Sequence, residues 1–362
     1  MTRIAILSPS LTTADAVSND VMGEFDVLTS RGHEVRLFCE THSLNHPQLF
    51  DVAHIGKFLR NPDDILIYHF SRGWSPGLEL IRELPCRRVI RYHNITPAEF
   101  FVRFSRTDQE ICEAGRKELV EIVAAQCDLF LSASAFSMRE LIAIGAGVSR
   151  SFVVPPFHHI DRLSKITADP ATLHKYSDGT ANILSVGRVV PHKGLHQLIA
   201  MFARYYYDYN RQSRLLIVGK GGEGLSDYSK LLHAAVHKLH LDKAVVFMGG
   251  VSDEVLKACY LVANAFATTS EHEGFCVPLV EAMSMKLPIT AYASTAIPET
   301  LGDAGISWPD REPLLMAGSI DLFVRDAAVR NALGQRGRSR YEAMFTNEKI
   351  ERTFVNAISR LQ

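Results

Sequence analysis

Short apolar, β-branched runs alternate with segments of helical period along the whole chain. In the first half RIAIL, HEVRLFC, DILIYHF, RRVIRYH, DLFLSAS and SFVV read as strands, and residues 108 to 126 read as an amphipathic helix between two of them. The second half restarts the scheme with NILSVG, RLLIVG, AVVFMG, NAFATTS, PITAYA and GISW. Tyr228, Leu231, Leu232, Ala235, Val236 and Leu239 share one face of a helix predicted over residues 228 to 241, and residues 347 to 361 read as one more amphipathic helix. Alternation of this kind implies parallel sheets covered by helices on both faces, so the fold class is α/β, with two Rossmann-like doubly wound domains in series. Pro155 and Pro156 end the first series, and the polar stretch that follows places the linker near residues 156 to 180.

Length supports the division, because 362 residues exceed what one hydrophobic core usually organises and a 47% hydrophobic fraction can fill two. A formal net charge of -1 with 22% charged residues carries no nucleic-acid signature and favours a small soluble partner. The six cysteines, at 39, 86, 112, 127, 259 and 276, form no CxxC pair and have no zinc spacing with histidine, so they read as reduced thiols of a cytoplasmic protein. The N-terminus is too short in apolar residues for a signal peptide, and no window approaches the length of a membrane span. Two arginine clusters, Arg82 with Arg87, Arg88 and Arg91, and Arg103 with Arg106, are read first as solvated charges. Peripheral contact with the inner face of a membrane is the second reading.

Doubly wound sheets bind ligands beyond the carboxyl ends of their strands, so the chemistry belongs in the strand-to-helix loops. GKGGEG at Gly219 satisfies G-x-G-x-x-G, yet its helix is delayed to about Asp227 and the next strand ends without a ribose-binding acid, which argues against a dinucleotide cofactor. SVGRVVPHKG places Arg188 and Lys193 on one loop, a planar fork of donors and a compact point charge suited to a diphosphate. Exposed loop charge is the plainer account of both. EHEGFCVPLVEAM, from Glu271, follows a strand and leads into a helix with Pro278 in its first turn. The backbone N–H groups of Gly274, Phe275, Cys276 and Val277 then sit at a helix N-terminus and favour an anion, with Gly274 allowing close approach. Glu281, expected in that first turn, offsets the helix dipole, but this does not account for Glu271 and Glu273 upstream. Carboxylates accept hydrogen bonds from sugar and ribose hydroxyls, and acids around an anion cradle describe a nucleotide sugar.

These motifs together, with GGVSDE at Gly249 and AIPETLGDAG at Ala296, resemble glycosyltransferase family four, the retaining GT-B group of glycosyl transferases group 1. The resemblance implies two Rossmann-like domains facing across a cleft: residues 1–165 for the acceptor, 166–345 for the nucleotide sugar, and a helix over 346–362 packing back on the first domain. It assigns Arg188 and Lys193 to the diphosphate, Glu281 to the ribose, Glu273 with the Gly274 to Cys276 backbone to the donor sugar, and Gly250 and Val251 to the base. His93, at the end of the fourth strand, matches the family's histidine that faces the donor. His69, ending the preceding strand, is expected to line the acceptor pocket. One departure is the first loop, SPSLTTADAVSND, where the family commonly has glycines and this chain offers hydroxyls and Asn19.

No D-x-D occurs, so Arg188 and Lys193 are expected to replace a metal, and neither a metal nor a cofactor is expected beyond the nucleotide-sugar co-substrate. With both glutamates otherwise assigned, a covalent double displacement lacks a nucleophile, and the resemblance implies front-face attack with retention. The partners expected are a nucleoside-diphosphate sugar, GDP-mannose or a UDP-hexose, and a glycan or lipid-linked acceptor. A nucleotide-sugar epimerase of the same architecture and a non-catalytic nucleotide-sugar-binding protein are the alternatives.

Overall fold

The computed structural model describes residues 2–13, 15–222 and 224–361, so Ala14 of the first loop and Glu223 of the glycine-rich loop lie outside the described residues. The chain divides into two compact units, one of residues 1–99, 107–159 and 346–362, the other of residues 100–106 and 160–345.

Unit 1 is built on a seven-stranded parallel sheet of β1 (Arg3–Leu7), β2 (Glu34–Cys39), β3 (Leu49–Asp51), β4 (Ile65–Phe70), β5 (Arg87–Tyr92), β6 (Leu129–Ser132) and β7 (Ser151–Val153), in the order β3-β2-β1-β4-β5-β6-β7. Every apolar run read as a strand forms one. β3 carries only three residues at the sheet edge, too few to leave an alternating signature. Successive strand side chains point to opposite faces, and two cores result. Ile4 and Ile6 join a cluster with Val21, Phe25 and Leu28 of α1 (Ala16–Ser30), whereas Ala5 and Leu7 join one with Leu119 and Ile122 of α2 (Arg106–Ala124) and Leu141 of α3 (Ala135–Ala143). The helix Asn347–Ile358 adds Ile350, Phe354 and Ile358 to the α1 face. Asp15 caps α1 by accepting from Ser18 N at 2.9 Å, which fixes the angle at which the helix leaves the first loop.

Unit 2 repeats the plan with six parallel strands, β8 (Ala181–Val186), β9 (Ser213–Val218), β10 (Val245–Gly249), β11 (Ala265–Thr268), β12 (Ile289–Tyr292) and β13 (Ile306–Trp308), in the order β10-β9-β8-β11-β12-β13. Ile183 and Leu184 of β8 pair with Ala265 and Phe266 of β11. Helices α4 (Leu195–Asp208), α5 (Ser226–Lys238), α6 (Asp253–Val262) and α7 (Val277–Ser284) follow β8, β9, β10 and β11. Strand order reverses at β8 and β11, so the chain leaves them in opposite directions and opens a crevice between their loops. Among the described residues, no helix is long and apolar enough to cross a membrane.

Candidate functional site

The loops that flank this crevice in unit 2 are the two singled out for their charge. After β8 the chain runs through Gly187 and Arg188 to a turn at Pro191–Lys193, and Gly194 then starts α4 with φ +61°. A Cβ on Gly194 would lie 2.3 Å from the Thr269 carbonyl oxygen, so the contact requires glycine in both conformation and space. The Thr269 hydroxyl donates to Gly194 O at 2.9 Å and Glu271 N donates to His192 O at 2.8 Å, which joins the two loops through their backbones. On that frame Lys193 Nζ sits 2.6 Å from Glu273 Oε1. Glu273 is fixed in turn by Thr295, whose hydroxyl accepts from Glu273 N at 2.8 Å and donates to Glu273 O at 3.0 Å.

Arg188 is exposed, and its guanidinium makes no ion pair among the described residues. It lines a cleft of about 10 Å³, enough for one water, with Gly187, Lys193, Thr268 and Ser270. A second cavity of about 180 Å³ is lined by Val189, Gly219, His233, Phe247 and Gly249; its walls include neither Gly250 nor Val251. His192, beneath the loop, is pushed well below the usual histidine range by burial and by the neighbouring Lys193 and Arg188, so the positive charge here belongs to the two longer side chains.

The start of α7 differs from expectation in one respect. Cys276 takes a left-handed conformation, φ 77°, as its N-cap, so Val277 is the first helical residue and Glu281 lies one position beyond the first turn. Glu281 is also buried, and the Tyr260 hydroxyl of α6 donates to its Oε2 at 2.6 Å. Dipole compensation therefore does not explain it, since that effect fades within the first turn. Gly274, Phe275 and Cys276 form the bend before the helix, with Phe275 O accepting from Thr300 Oγ1 at 2.8 Å. Burial and the nearby Glu273 raise the Cys276 thiol well above its usual range, leaving it protonated and unreactive. Glu271 is occupied elsewhere, paired at 2.5 Å with Arg311.

Unit 1 contains a second polar assembly, which the sequence signalled only in part. His93 follows β5, its N–H donating to Phe70 O at 3.0 Å, and its Nε2 is 3.0 Å from His69 Nδ1. His69 Nε2 lies 3.1 Å from Glu24 Oε2 on α1. Asp20, one turn earlier on that helix, accepts from Arg91 Nε at 2.7 Å and from Phe157 N at 2.7 Å. Arg91 also donates to Val154 O at 2.6 Å and stands 3.2 Å from Glu24 Oε1.

Two expectations change here. His69 is fully buried with both ring nitrogens engaged, so it supports a neighbour instead of lining a pocket. Arg91 is equally buried and paired, and leaves the surface arginine cluster. The signal that would have found this network is Asp20 and Glu24, four residues apart on the apolar face that carries Val21, Phe25 and Leu28.

Burial pushes His69 and His93 down to about 3, against the attraction of Asp20. Burial and Asp20 raise Glu24 well above its usual range, whereas Asp20 itself stays low because Arg91 and the histidines outweigh its own burial. As the pH falls below the usual histidine pKa of about 6.5, the unfolded chain thus binds histidine protons that unit 1 excludes, while the raised Glu24 carboxyl works in the opposite direction. Two histidines act against one carboxyl, so stability falls with acidification between pH 6 and pH 5. Urea midpoints followed by Trp74 fluorescence in a Trp308→Phe background test this, and a flat or rising profile would contradict it.

Residues 174–340 match the family model described as glycosyl transferases group 1. The capsular polysaccharide biosynthesis glycosyltransferase CapM of Staphylococcus aureus is 28% identical over 180 residues, 49% of this chain and 45% of that protein. The O-antigen chain mannosyltransferase B of Escherichia coli is 26% identical over 174 residues, 48% of this chain and 44% of that protein. The matched stretch thus spans less than half the length of these relatives. Among solved structures, Anabaena HepE in complex with UDP and glucose superposes with a TM-score of 0.77 at 17% identity, over 99% of this chain and 100% of that one. At that identity the likeness speaks for the fold, the paired parallel sheets of the GT-B class. Over residues 174–340, the chain is similar to the glycosyl transferases group 1 family.

Proposed function

We propose that the protein is a retaining, metal-independent glycosyltransferase that moves a hexose from a nucleoside-diphosphate sugar to a glycan or lipid-linked acceptor. The observation that carries this reading is the Lys193–Glu273 pair at 2.6 Å, which sets a cation and a sugar-type acceptor side by side at the β8/β11 crevice and at the N-terminal end of α7. The names of CapM and of mannosyltransferase B, and the UDP and glucose in the HepE complex, support a nucleotide-sugar donor. GDP-mannose and UDP-hexoses are the donors we favour.

In this reading, departure of the nucleoside diphosphate builds negative charge that Arg188, Lys193 and the N–H groups at the start of α7 stabilise without reorganising. Glu273 turns from Lys193 to the hydroxyls of the donor sugar, and Glu281, held by Tyr260, accepts from the ribose. Unit 1 takes the acceptor, with His93 the residue of that unit we assign to the reaction. Because both glutamates are committed to binding, the donor phosphate receives the acceptor's proton as the new glycosidic bond forms on the face the diphosphate leaves. A thermal-shift screen of GDP- and UDP-sugars, with and without excess EDTA, followed by a transfer assay with the stabilising donor, tests the proposal. The midpoint should rise with donor concentration, and transfer should persist in chelator. Stabilisation by no nucleotide sugar, or a strict divalent-ion requirement, would count against it.

A further inference from the structure

Four side chains beneath His93 form with it one enclosed chain of hydrogen bonds, and its direction decides what His93 offers a ligand. Asp20, Glu24, His69 and Arg91 are 0% exposed, and His93 is 10% exposed. Its Nε2 faces inward to His69, so Nδ1 is the nitrogen left for a ligand, and among the described residues it makes no hydrogen bond. A neutral imidazole has one donor and one acceptor nitrogen, so a row of two histidines admits only two orders. If Glu24 is ionised, His69 donates to it, His93 donates to His69, and Nδ1 points out as a bare lone pair. If Glu24 keeps its proton, it donates to His69 Nε2, His69 Nδ1 donates to His93 Nε2, and Nδ1–H points out as a donor.

The geometry favours the second order. Two carboxylates share one guanidinium in a site without water contact, and both cannot hold a charge there cheaply. Asp20 has the two direct donors, Arg91 Nε and the backbone N–H of Phe157, each at 2.7 Å. Besides His69, among the described residues Glu24 has the longer 3.2 Å approach of Arg91 to Oε1, an atom without a hydrogen bond, which suits a carbonyl oxygen and leaves Oε2 as the hydroxyl aimed at His69. We propose that a protonated Glu24, acting through His69 as a positioning residue, locks His93 in the Nδ1–H tautomer, so that unit 1 presents a neutral hydrogen-bond donor there and not a base. The groups facing the two imidazoles are Asp20 and Glu24 from α1, Arg91 from β5, and Asp15 from the loop before α1.

The spacing of Asp20 Oδ2, His69 Nδ1 and His93 Nε2, all within 4.8 Å of one another, would also admit a cation. Arg91 Nε already lies 2.7 Å from that same Asp20 oxygen, so a metal would be bound against a buried positive charge. The inference rests on the proposed transferase reaction only for what the donor acts upon, where it leaves acceptor deprotonation to the donor phosphate. The tautomer is a property of the ligand-free chain.

Long-range 1H–15N correlation spectra of the full chain with 15N-labelled histidine decide the matter, with the His93 signals assigned by their loss in His93→Gln. The expected result is a protonated-type Nδ1 and an unprotonated-type Nε2, constant from pH 8 to pH 5.5. The pattern persists in Glu24→Gln, whose amide can still donate to His69, and becomes a mixture of tautomers in Glu24→Leu. If the leucine variant does not fold, the wild-type and glutamine spectra suffice. The reverse pattern, a titrating average, or a metal-bound pattern on both rings at one equivalent of zinc would each overturn the proposal. None of these spectra needs donor, acceptor or turnover, so a failed transfer assay and a failed tautomer assignment remain distinguishable.

Discussion

Lys193→Ala is expected to lower kcat/KM for transfer by about 10²- to 10³-fold, the effect of removing one preorganised donor to a developing negative charge. The side chain is 18% exposed, and among the described residues its ion pair is with the buried Glu273 at 2.6 Å. Stability should fall by more than the about 1 kcal/mol of an exposed pair, because Glu273 is buried and loses its partner, but by less than the about 3–5 kcal/mol of a fully buried one. The loss should fall on both kcat and donor affinity, because the substitution removes a charge and also leaves Glu273 without the group that orients it before the donor arrives. Steady-state kinetics beside far-UV circular dichroism check this. Full transfer activity in a folded variant would remove Lys193, and with it the donor site described above, from the reaction.

The second large effect is one of stability. Arg91→Leu leaves Asp20 as a buried carboxylate with no counter-charge and Val154 O without its donor, and should destabilise unit 1 by about 3–5 kcal/mol. Leucine fills much of the volume, so the loss is electrostatic and not that of a cavity. Combining it with Asp20→Asn removes the stranded charge and should recover part of the loss, although Phe157 N then donates to an amide oxygen in place of a carboxylate. Denaturant midpoints of the wild type, both single variants and the double variant give the coupling. Additive losses would mean that the two side chains do not act as a pair.

The contrast between these residues explains what could be read from the chain alone. Lys193 and Glu273 sit in contiguous loop motifs whose composition departs from the apolar runs around them, and parallel pairing of β8 with β11 brings those loops together. Arg91 lies inside an apolar strand, between Ile90 and Tyr92, and nothing adjacent in sequence announces its partner 71 residues away. A strand of a parallel sheet is buried on both faces, so a charge within such a run must be paired, and the surface reading of Arg91 overlooked that constraint. Glu281 was misplaced by one residue for a local reason: the left-handed Cys276 lets the helix begin already at Val277, one residue ahead of Pro278, a backbone choice that a non-glycine side chain does not advertise. The both-faces alternation of Ile4, Ala5, Ile6 and Leu7 needed no such detail, and the sheets followed from it.

Unit 1 is assembled from three stretches of chain, and the last, residues 346–362, is separated from the rest by almost the whole of unit 2. Ile350, Phe354 and Ile358 fill the α1 face of its core. During synthesis, which runs from the N-terminus, that apolar face stays uncovered until unit 2 has left the ribosome. Unit 2 needs only residues 100–106 from upstream and can close its own sheet in the meantime. The order of completion is therefore the reverse of the order of translation: the half that begins first finishes last, and its open face is the surface a chaperone would have to guard.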